Sequence, residues 1–262
     1  MDIKKICLET ELIAREAGSY IKNERQKFDS AKIETKGKND FVSYVDKTSE
    51  KLLVEKLSAL IPKAGFITEE GTKKEIKNIN WIIDPLDGTT NFIHGLCPHC
   101  VSIALQKDNK TILGVVYEIG LDECFSAYLG GGAFLNGKPI KVSDKQLLKD
   151  SLVGTGFPYS DYGKLEGFMK SMEFMMKNTH GMRRLGSAAT DLVYVACGRL
   201  DTFYEYGLSP WDVAAGAFIV EEAGGKISDF SGKDNYIFGK EIVAANSKVF
   251  DEFLSNIKSF MN

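Results

Sequence analysis

The segment Trp81-Ile82-Ile83-Asp84-Pro85-Leu86-Asp87-Gly88-Thr89-Thr90-Asn91-Phe92 carries an apolar run into two carboxylates and then opens a helix. Trp81, Ile82 and Ile83 read as the end of a buried strand, and Pro85, which lacks a backbone donor, predicts a break directly after Asp84. Gly88 permits a tight turn with close ligand approach. Thr89 and Thr90 then put amide N–H groups and hydroxyls at a helix start, where the dipole favours an anion. Carboxylates for a cation and amides for a phosphate thus meet within one short stretch, although Asp-Pro and Asp-Gly are also ordinary turn formers.

Two other segments add to this reading. Thr68-Glu69-Glu70-Gly71 follows the short apolar pair Phe66-Ile67, and Ser209-Pro210-Trp211-Asp212 lies far downstream. Together the three segments resemble the inositol monophosphatase family of magnesium-dependent, lithium-sensitive phosphatases. The wider superfamily includes fructose-1,6-bisphosphatases and phosphatases of 3′-phosphoadenosine nucleotides, which share the Asp-Pro-x-Asp-Gly-Thr signature. The resemblance runs over roughly residues 1–250 and is more specific for the superfamily than for the substrate.

With 262 residues, 44% of them hydrophobic, the chain can bury a large core. Its net charge of −3, with both signs interspersed, shows no basic stripe. Extended nucleic-acid or anionic-membrane contact is therefore not expected. Met1-Asp2-Ile3-Lys4-Lys5 carries charge where a signal peptide needs an apolar core, and no apolar run is long enough to span a bilayer, so the expected compartment is the cytoplasm. Five scattered cysteines, Cys7, Cys97, Cys100, Cys124 and Cys197, fit reduced thiols better than a disulfide framework. Cys97-Pro98-His99-Cys100 has the spacing of a redox dithiol or half a zinc site. It runs into a strand-like stretch, however, and has no second cysteine pair, so buried or half-buried thiols at a strand start are expected instead.

Helical spacing of Ile3, Ile6, Thr10, Ile13, Ala17 and Tyr20 predicts an amphipathic helix over residues 2–27. A polar stretch, Glu34 to Asp40, precedes Phe41–Val45 and a second helix starting near Asp46, which could be simply its N-cap. Strand-like runs follow at 100–107, 111–118 and 122–129, with a hairpin at Asn136-Gly137. After about residue 140 strands and helices alternate: a strand at 152–155, helices over 163–178 and 187–197, a strand at 202–204, a helix over 210–223, strands near 226–229 and 242–245, and a final helix. The expected class is α+β, with an N-terminal α+β half (residues 1–140, metal-binding motif) packed on a C-terminal α/β half (residues 141–262, substrate-binding segments). The resemblance, not periodicity, implies the topology: an alternating α-β-α-β-α layered sandwich of sugar-phosphatase type.

Asp212 lies at the third position of a helix with Ser209 as N-cap, Pro210 at N1 and Gly224 beyond the last turn, so it could be only an acid favoured by the helix dipole. If it faces Asp84, Asp87 and Glu69, four carboxylates share a pocket. Divalent metal would relieve their repulsion, and an all-oxygen set selects Mg²⁺ over zinc. By resemblance, Glu69, Asp84 and the carbonyl of Leu86 hold one Mg²⁺. Asp84, Asp87 and Asp212 hold a second, and Glu69 helps a looser third. The resemblance gives Asp46 and Thr89 the catalytic task of orienting or deprotonating a water, and the amides of Gly88 and Thr89 the phosphate. Charge stabilisation by two metals suits phosphate-ester hydrolysis, and no Ser, Cys or His nucleophile is required. Lys36, in the polar loop, is expected to be solvated.

Arg184-Leu185-Gly186-Ser187-Ala188-Ala189 and Tyr204-Glu205-Tyr206 match segments that contact inositol in the family. This implies Gly186, Ser187, Ala188, Glu205 and Asp87 as substrate-binding residues. Ser187 replaces the threonine common there and keeps the hydroxyl, while Glu205 could instead be an exposed strand-end carboxylate. The continuation Thr89-Thr90-Asn91-Phe92-Ile93-His94-Gly95 resembles inositol monophosphatases more than nucleotide phosphatases. A second phosphate, as in fructose 1,6-bisphosphate, would call on Arg183, Arg184 or Lys36. The family also implies a homodimer, and some bacterial relatives act as protein partners in transcription complexes, so a binding role stands beside the phosphatase reading.

Overall fold

The computed structural model describes residues 1–27, 33–37, 40–159 and 161–261, with 33–37 and 40–43 described as backbone. Helix α1 (Ile3–Arg25) starts where the Asp2 carboxylate accepts the Lys5 N–H at 3.1 Å and ends on Lys22 and Arg25, which suit the negative end of the dipole. Its buried face is Cys7, Thr10, Ala14, Ala17 and Ile21, rotated about one residue from the expected stripe, so that Ile6, Ile13 and Tyr20 form its margin. A two-stranded antiparallel ribbon, β1 (Ile33–Gly37) and β2 (Asp40–Ser43), leads into α2 (Tyr44–Leu60). The ribbon was not foreseen, because Glu34-Thr35-Lys36-Gly37 has no apolar alternation to signal it. The Lys36 side chain lies outside the described residues.

A seven-stranded sheet follows. Its strands are β3 (Gly65–Thr68), β4 (Ile79–Asp87), β5 (Cys100–Lys107), β6 (Lys110–Glu118), β7 (Glu123–Tyr128), β8 (Gly132–Leu135) and β9 (Lys138–Ile140), in that spatial order, with the short α3 (Thr89–His94) between β4 and β5. Only β3 and β4 pair in parallel. Asn136 and Gly137, at φ 48° and 74°, make the expected two-residue turn between β8 and β9. Pro85 does not end β4. The strand continues to Asp87 through a bulge, with Pro85 and Leu86 opposing the single residue Val101 between the pairs Asp84–Ser102 and Asp87–Cys100, and a bulge is where a strand tolerates proline.

The second sheet has β10 (Leu152–Thr155) parallel to both β11 (Gly181–Arg183) and β12 (Thr202–Tyr206). β14 (Glu241–Asn246) lies antiparallel between β12 and β13 (Gly225–Ser228). Helices α4 (Leu165–Asn178), α5 (Ala188–Ala196), α6 (Pro210–Glu222) and α7 (Phe250–Met261) complete the chain. β11 was missed, being three residues long and only partly buried.

Period-2 alternation sorts the strand residues into layers. Trp81, Ile83, Val101, Ile103 and Val115 pack under α1 and α2, whereas Ile82, Ala104 and Val116 face α5 and α6. In the second sheet Phe203, Ile242 and Ala244 face those same two helices, while Tyr204, Val243 and Ala245 face α4 and α7. The result is the α-β-α-β-α sandwich. α6 is buried along Val213–Val220 because it is apolar on all sides, as a middle-layer helix must be. Asp84 and Glu205 share the parity of Ile82 and Phe203, so both carboxylates project toward this middle layer.

Candidate active site

The site forms where the C-terminal ends of β4 and β12 meet the N-terminal ends of α3, α5 and α6. At the β4 bulge the Leu86 N–H donates to the Asp84 carboxylate at 2.9 Å. Gly88 follows at φ 84°, and a Cβ there would lie 2.9 Å from the Pro98 carbonyl, so both conformation and space require glycine. The Asn91 side-chain amide donates to the Pro98 and Leu185 carbonyls, each at 2.8 Å, and so ties the motif to the segment before α5. The motif by itself gives Asn91 no role, because only the folded chain brings residues 91 and 185 together.

Asp46 is not an N-cap. α2 begins at Tyr44, and Asp46, in its first turn, is buried. The Thr89 hydroxyl lies 3.0 Å from the Asp46 carboxylate and 2.9 Å from the Leu86 carbonyl, so its single proton can serve either acceptor. Two neighbours went unnoticed in the sequence. The Ser49 hydroxyl donates to the Pro85 carbonyl at 3.1 Å, and Glu50 accepts the backbone N–H groups of Glu70 and Thr72. Their spacing of three and four residues from Asp46 was the available signal.

Asp87 receives the Ser187 hydroxyl at 2.7 Å and the Ala189 N–H at 2.8 Å, both at the start of α5. Asp212 accepts the Ser209 N–H at 2.7 Å, closing one half of a capping box at the start of α6. Glu205 is no exposed strand-end residue: it is 6% exposed. Together with Asp87, Gly186, Ser187, Ala188 and Asp212 it lines a pocket that also holds Gly156, Tyr159 and Arg184. The Arg184 guanidinium lies over the rings of Phe157 and Tyr159 and donates to the Tyr159 hydroxyl. Glu69, Asp84, Leu86, Gly88, Thr89 and Asp46 lie around the neighbouring end of β4.

Burial pushes the Asp84 carboxyl, 2% exposed, well above its usual range, and the nearby charges of Glu69, Asp87 and Asp212 push it further. Asp87 is also raised by burial, against the opposing hydrogen bonds from Ser187 and the Ala189 amide. Glu205 is raised well above the usual range by burial, then by Asp212 and Asp87, with Arg184 acting the other way. Asp191, overlooked in the sequence, is a buried acid on α5 with no hydrogen-bond partner for either oxygen. Burial, then Glu205 and Asp87, raise it likewise. Its signal was a lone charge inside the apolar run Ala188–Ala196.

The charges of Glu69, Asp87 and Asp212 oppose ionisation of Asp84, and these four carboxylates, with oxygen as their only donor type, suit a hard divalent cation. Among the described residues, however, no three His, Cys, Asp or Glu side chains converge as a ready-made ligand shell. Asp84, Asp87 and Asp212 each accept backbone N–H or hydroxyl donors on one carboxylate oxygen. The zinc and redox readings of Cys97 and Cys100 do not fit. Cys97 is exposed, while Cys100 is buried 3.8 Å from Asp87 with its thiol pushed well above the usual range by burial and by that carboxylate. All five cysteines are unpaired. No described helix is long and apolar enough to cross a membrane.

The sequence profile of the inositol monophosphatase family matches residues 5–260. The chain is 38% identical over 247 residues to the inositol-1-monophosphatase of Mesorhizobium japonicum, covering 94% of this chain and 93% of that one. It is 40% identical to the Nus factor SuhB of Escherichia coli K12, covering 94% and 92%. Among solved structures, an extragenic suppressor protein suhB from Bartonella henselae superposes with a TM-score of 0.92 at 36% identity, covering 97% and 98% of the two chains. The Thermotoga maritima IMPase superposes at 0.89 with 34% identity, covering 99% and 98%. With the profile matching nearly its whole length and the layered fold shared with those structures, the chain belongs to the inositol monophosphatase family.

Proposed function

We propose that this chain hydrolyses phosphate monoesters with Mg²⁺, and that its substrate is inositol monophosphate or a similar polyol phosphate. The observation that carries the reading is Asp84, buried at the end of β4 among Glu69, Asp87 and Asp212, an arrangement that opposes its own charge unless a cation is present. Glu69, Asp84 and the Leu86 carbonyl would hold one Mg²⁺ and Asp84, Asp87 and Asp212 a second, with Glu69 serving a looser third. Bound there, the metal supplies positive charge to the phosphoryl oxygens and the leaving oxygen.

The chain's own groups do the rest. The amides of Gly88 and Thr89 hold the phosphate at the start of α3. The Thr89 hydroxyl, within reach of the Asp46 carboxylate, orients a water and passes its proton to Asp46. Glu205, Gly186, Ser187 and Ala188 form the opposite wall, where a buried carboxylate reads ring hydroxyls. In this scheme residues 1–140 supply the metal ligands apart from Asp212, and residues 141–262 supply Asp212 and most of the substrate wall, in a cytoplasmic homodimer. Phosphate release from inositol 1-phosphate, fructose 1,6-bisphosphate and a 3′,5′-nucleotide bisphosphate, with and without Mg²⁺, tests the reading. Absence of Mg²⁺-dependent release from every ester overturns it.

A second reading is favoured by relatives about 40% identical that bear the name Nus factor SuhB. The chain would then also bind transcription-complex proteins. Pull-down with purified RNA polymerase, using the wild type and an Asp84→Asn variant, tests it independently of catalysis.

A further inference from the structure

We infer that Glu50 is the positioning residue for the Glu69 side of the metal site, a role that rests on the metal reading above. Glu50 is 0% exposed and lies one turn beyond Asp46 on α2, so the two acids and Ser49 occupy one helix face. Both Glu50 oxygens are taken by amides of one distant segment: Glu70 N–H donates to Oε2 at 2.6 Å and Thr72 N–H to Oε1 at 2.7 Å. These are short, charge-assisted bonds.

The chain turns tightly between the two anchored amides, with Gly71 at φ 73°. On the other side of Glu69, its own N–H donates to the Ile83 carbonyl at 3.3 Å. The backbone of Glu69 is therefore held from both directions, by β4 through Ile83 and by α2 through Glu50. The same helix face reaches the other half of the motif, since Ser49 donates to the Pro85 carbonyl at 3.1 Å and Asp46 faces Thr89. One turn of α2 thus sets the distance between the Glu69 loop and the Asp84 bulge. A carboxylate buried with only amide partners is costly, and fixing that separation is what it contributes to metal affinity.

Glu50→Gln tests this, because a carboxamide accepts one of the two N–H groups and turns its own NH₂ toward the other. In the metal-free protein, hydrogen exchange at the Glu70 and Thr72 amides is expected to quicken about tenfold or more. The Mn²⁺ dissociation constant, measured by calorimetry or electron paramagnetic resonance, is expected to rise about 10- to 100-fold, the usual effect of losing a residue that orients a ligand. The Mg²⁺ concentration for half-maximal activity rises with it, and activity lost at low Mg²⁺ returns as Mg²⁺ is raised. Should Glu50→Gln melt below the assay temperature, Glu50→Asp, which keeps the charge and shortens the reach, carries the same comparison. A folded variant with wild-type Mn²⁺ affinity overturns the inference, as does weakened affinity with unchanged exchange at both amides. A wild type that binds no Mn²⁺ overturns the metal reading and this inference together, so the two failures are distinguishable.

Discussion

A Cβ on Gly156 would lie 2.0 Å from the carboxylate carbon of Glu205. The space that Glu205 occupies at the end of β12 is thus the side chain that residue 156 lacks. Gly156→Ala must displace the Glu205 carboxylate or shift β10, an overpacking that costs about 1–3 kcal/mol. The expected outcome is a lower Tm together with a raised KM for inositol 1-phosphate. Unchanged KM would show that the position of Glu205 is irrelevant to binding.

Glu205→Gln separates recognition from chemistry without overpacking. A site built to hydrogen-bond a hydroxyl loses binding when its charged partner is neutralised, while phosphate held elsewhere stays positioned. KM for inositol 1-phosphate is expected to rise more than kcat falls, with kcat/KM down by about one to two decades, matching roughly 1.5–3 kcal/mol for a charged hydrogen bond. Glycerol 2-phosphate should be affected less. Equal loss of kcat for every ester would place Glu205 in the catalytic machinery.

Asp84→Asn should abolish Mg²⁺-dependent phosphate release and leave the fold intact, because it removes charge from the position shared by both proposed cations. Burial and three like charges already oppose ionised Asp84. In Mg²⁺-free buffer the variant is therefore expected to melt no lower than the wild type, and the Tm increase on adding Mg²⁺ should shrink. Circular dichroism melts check both, and retained turnover would remove Asp84 from the metal site.

Asp191 gives a pH prediction. Its folded-state pKa is raised by burial, then by Glu205 and Asp87, so the folded protein holds a proton that the unfolded chain releases at the ordinary carboxylate pKa. The stabilisation is full below that unfolded value and is lost as pH rises toward the raised folded value. Asp191→Asn should therefore leave Tm at pH 4 little changed, raise it at pH 8, and flatten the decline between. Each tenfold difference in proton affinity is worth about 1.4 kcal/mol, or about 2–4 °C for a chain of this size. A parallel Tm–pH curve for the variant would show that Asp191 does not contribute to the slope.

Lithium should inhibit if the cation position proposed at Asp84, Asp87 and Asp212 takes Li⁺ once phosphate is bound. A LiCl titration of phosphate release against NaCl at equal ionic strength measures it. Activity that follows the NaCl control throughout would oppose a shared position for the two ions.

The sequence by itself determined most of the helices and strands, though not the β1–β2 ribbon or β11, and the chemistry of the donors. Local patterns sufficed for α1, for the hairpin turn at Asn136-Gly137 and for the Ser209-Pro210 start of α6, because each depends on residues a few positions apart. Tertiary structure decided what those donors face. Pro85 predicted a break, but pairing with β5 carried β4 through it as a bulge. The pattern left Asp46 open to simple capping beside the catalytic role implied by resemblance, and the start of α2 two residues earlier places it against Thr89. Glu205 could have been solvated, and only Gly156 and the inward parity of β12 buried it. Glu50 and Asn91 stayed silent because their partners lie 20 and 94 residues away in sequence. A side chain's type is local, but burial, repulsion and hydrogen bonding depend on neighbours supplied by distant segments, and packing α5 and α6 between two sheets is what brings them together.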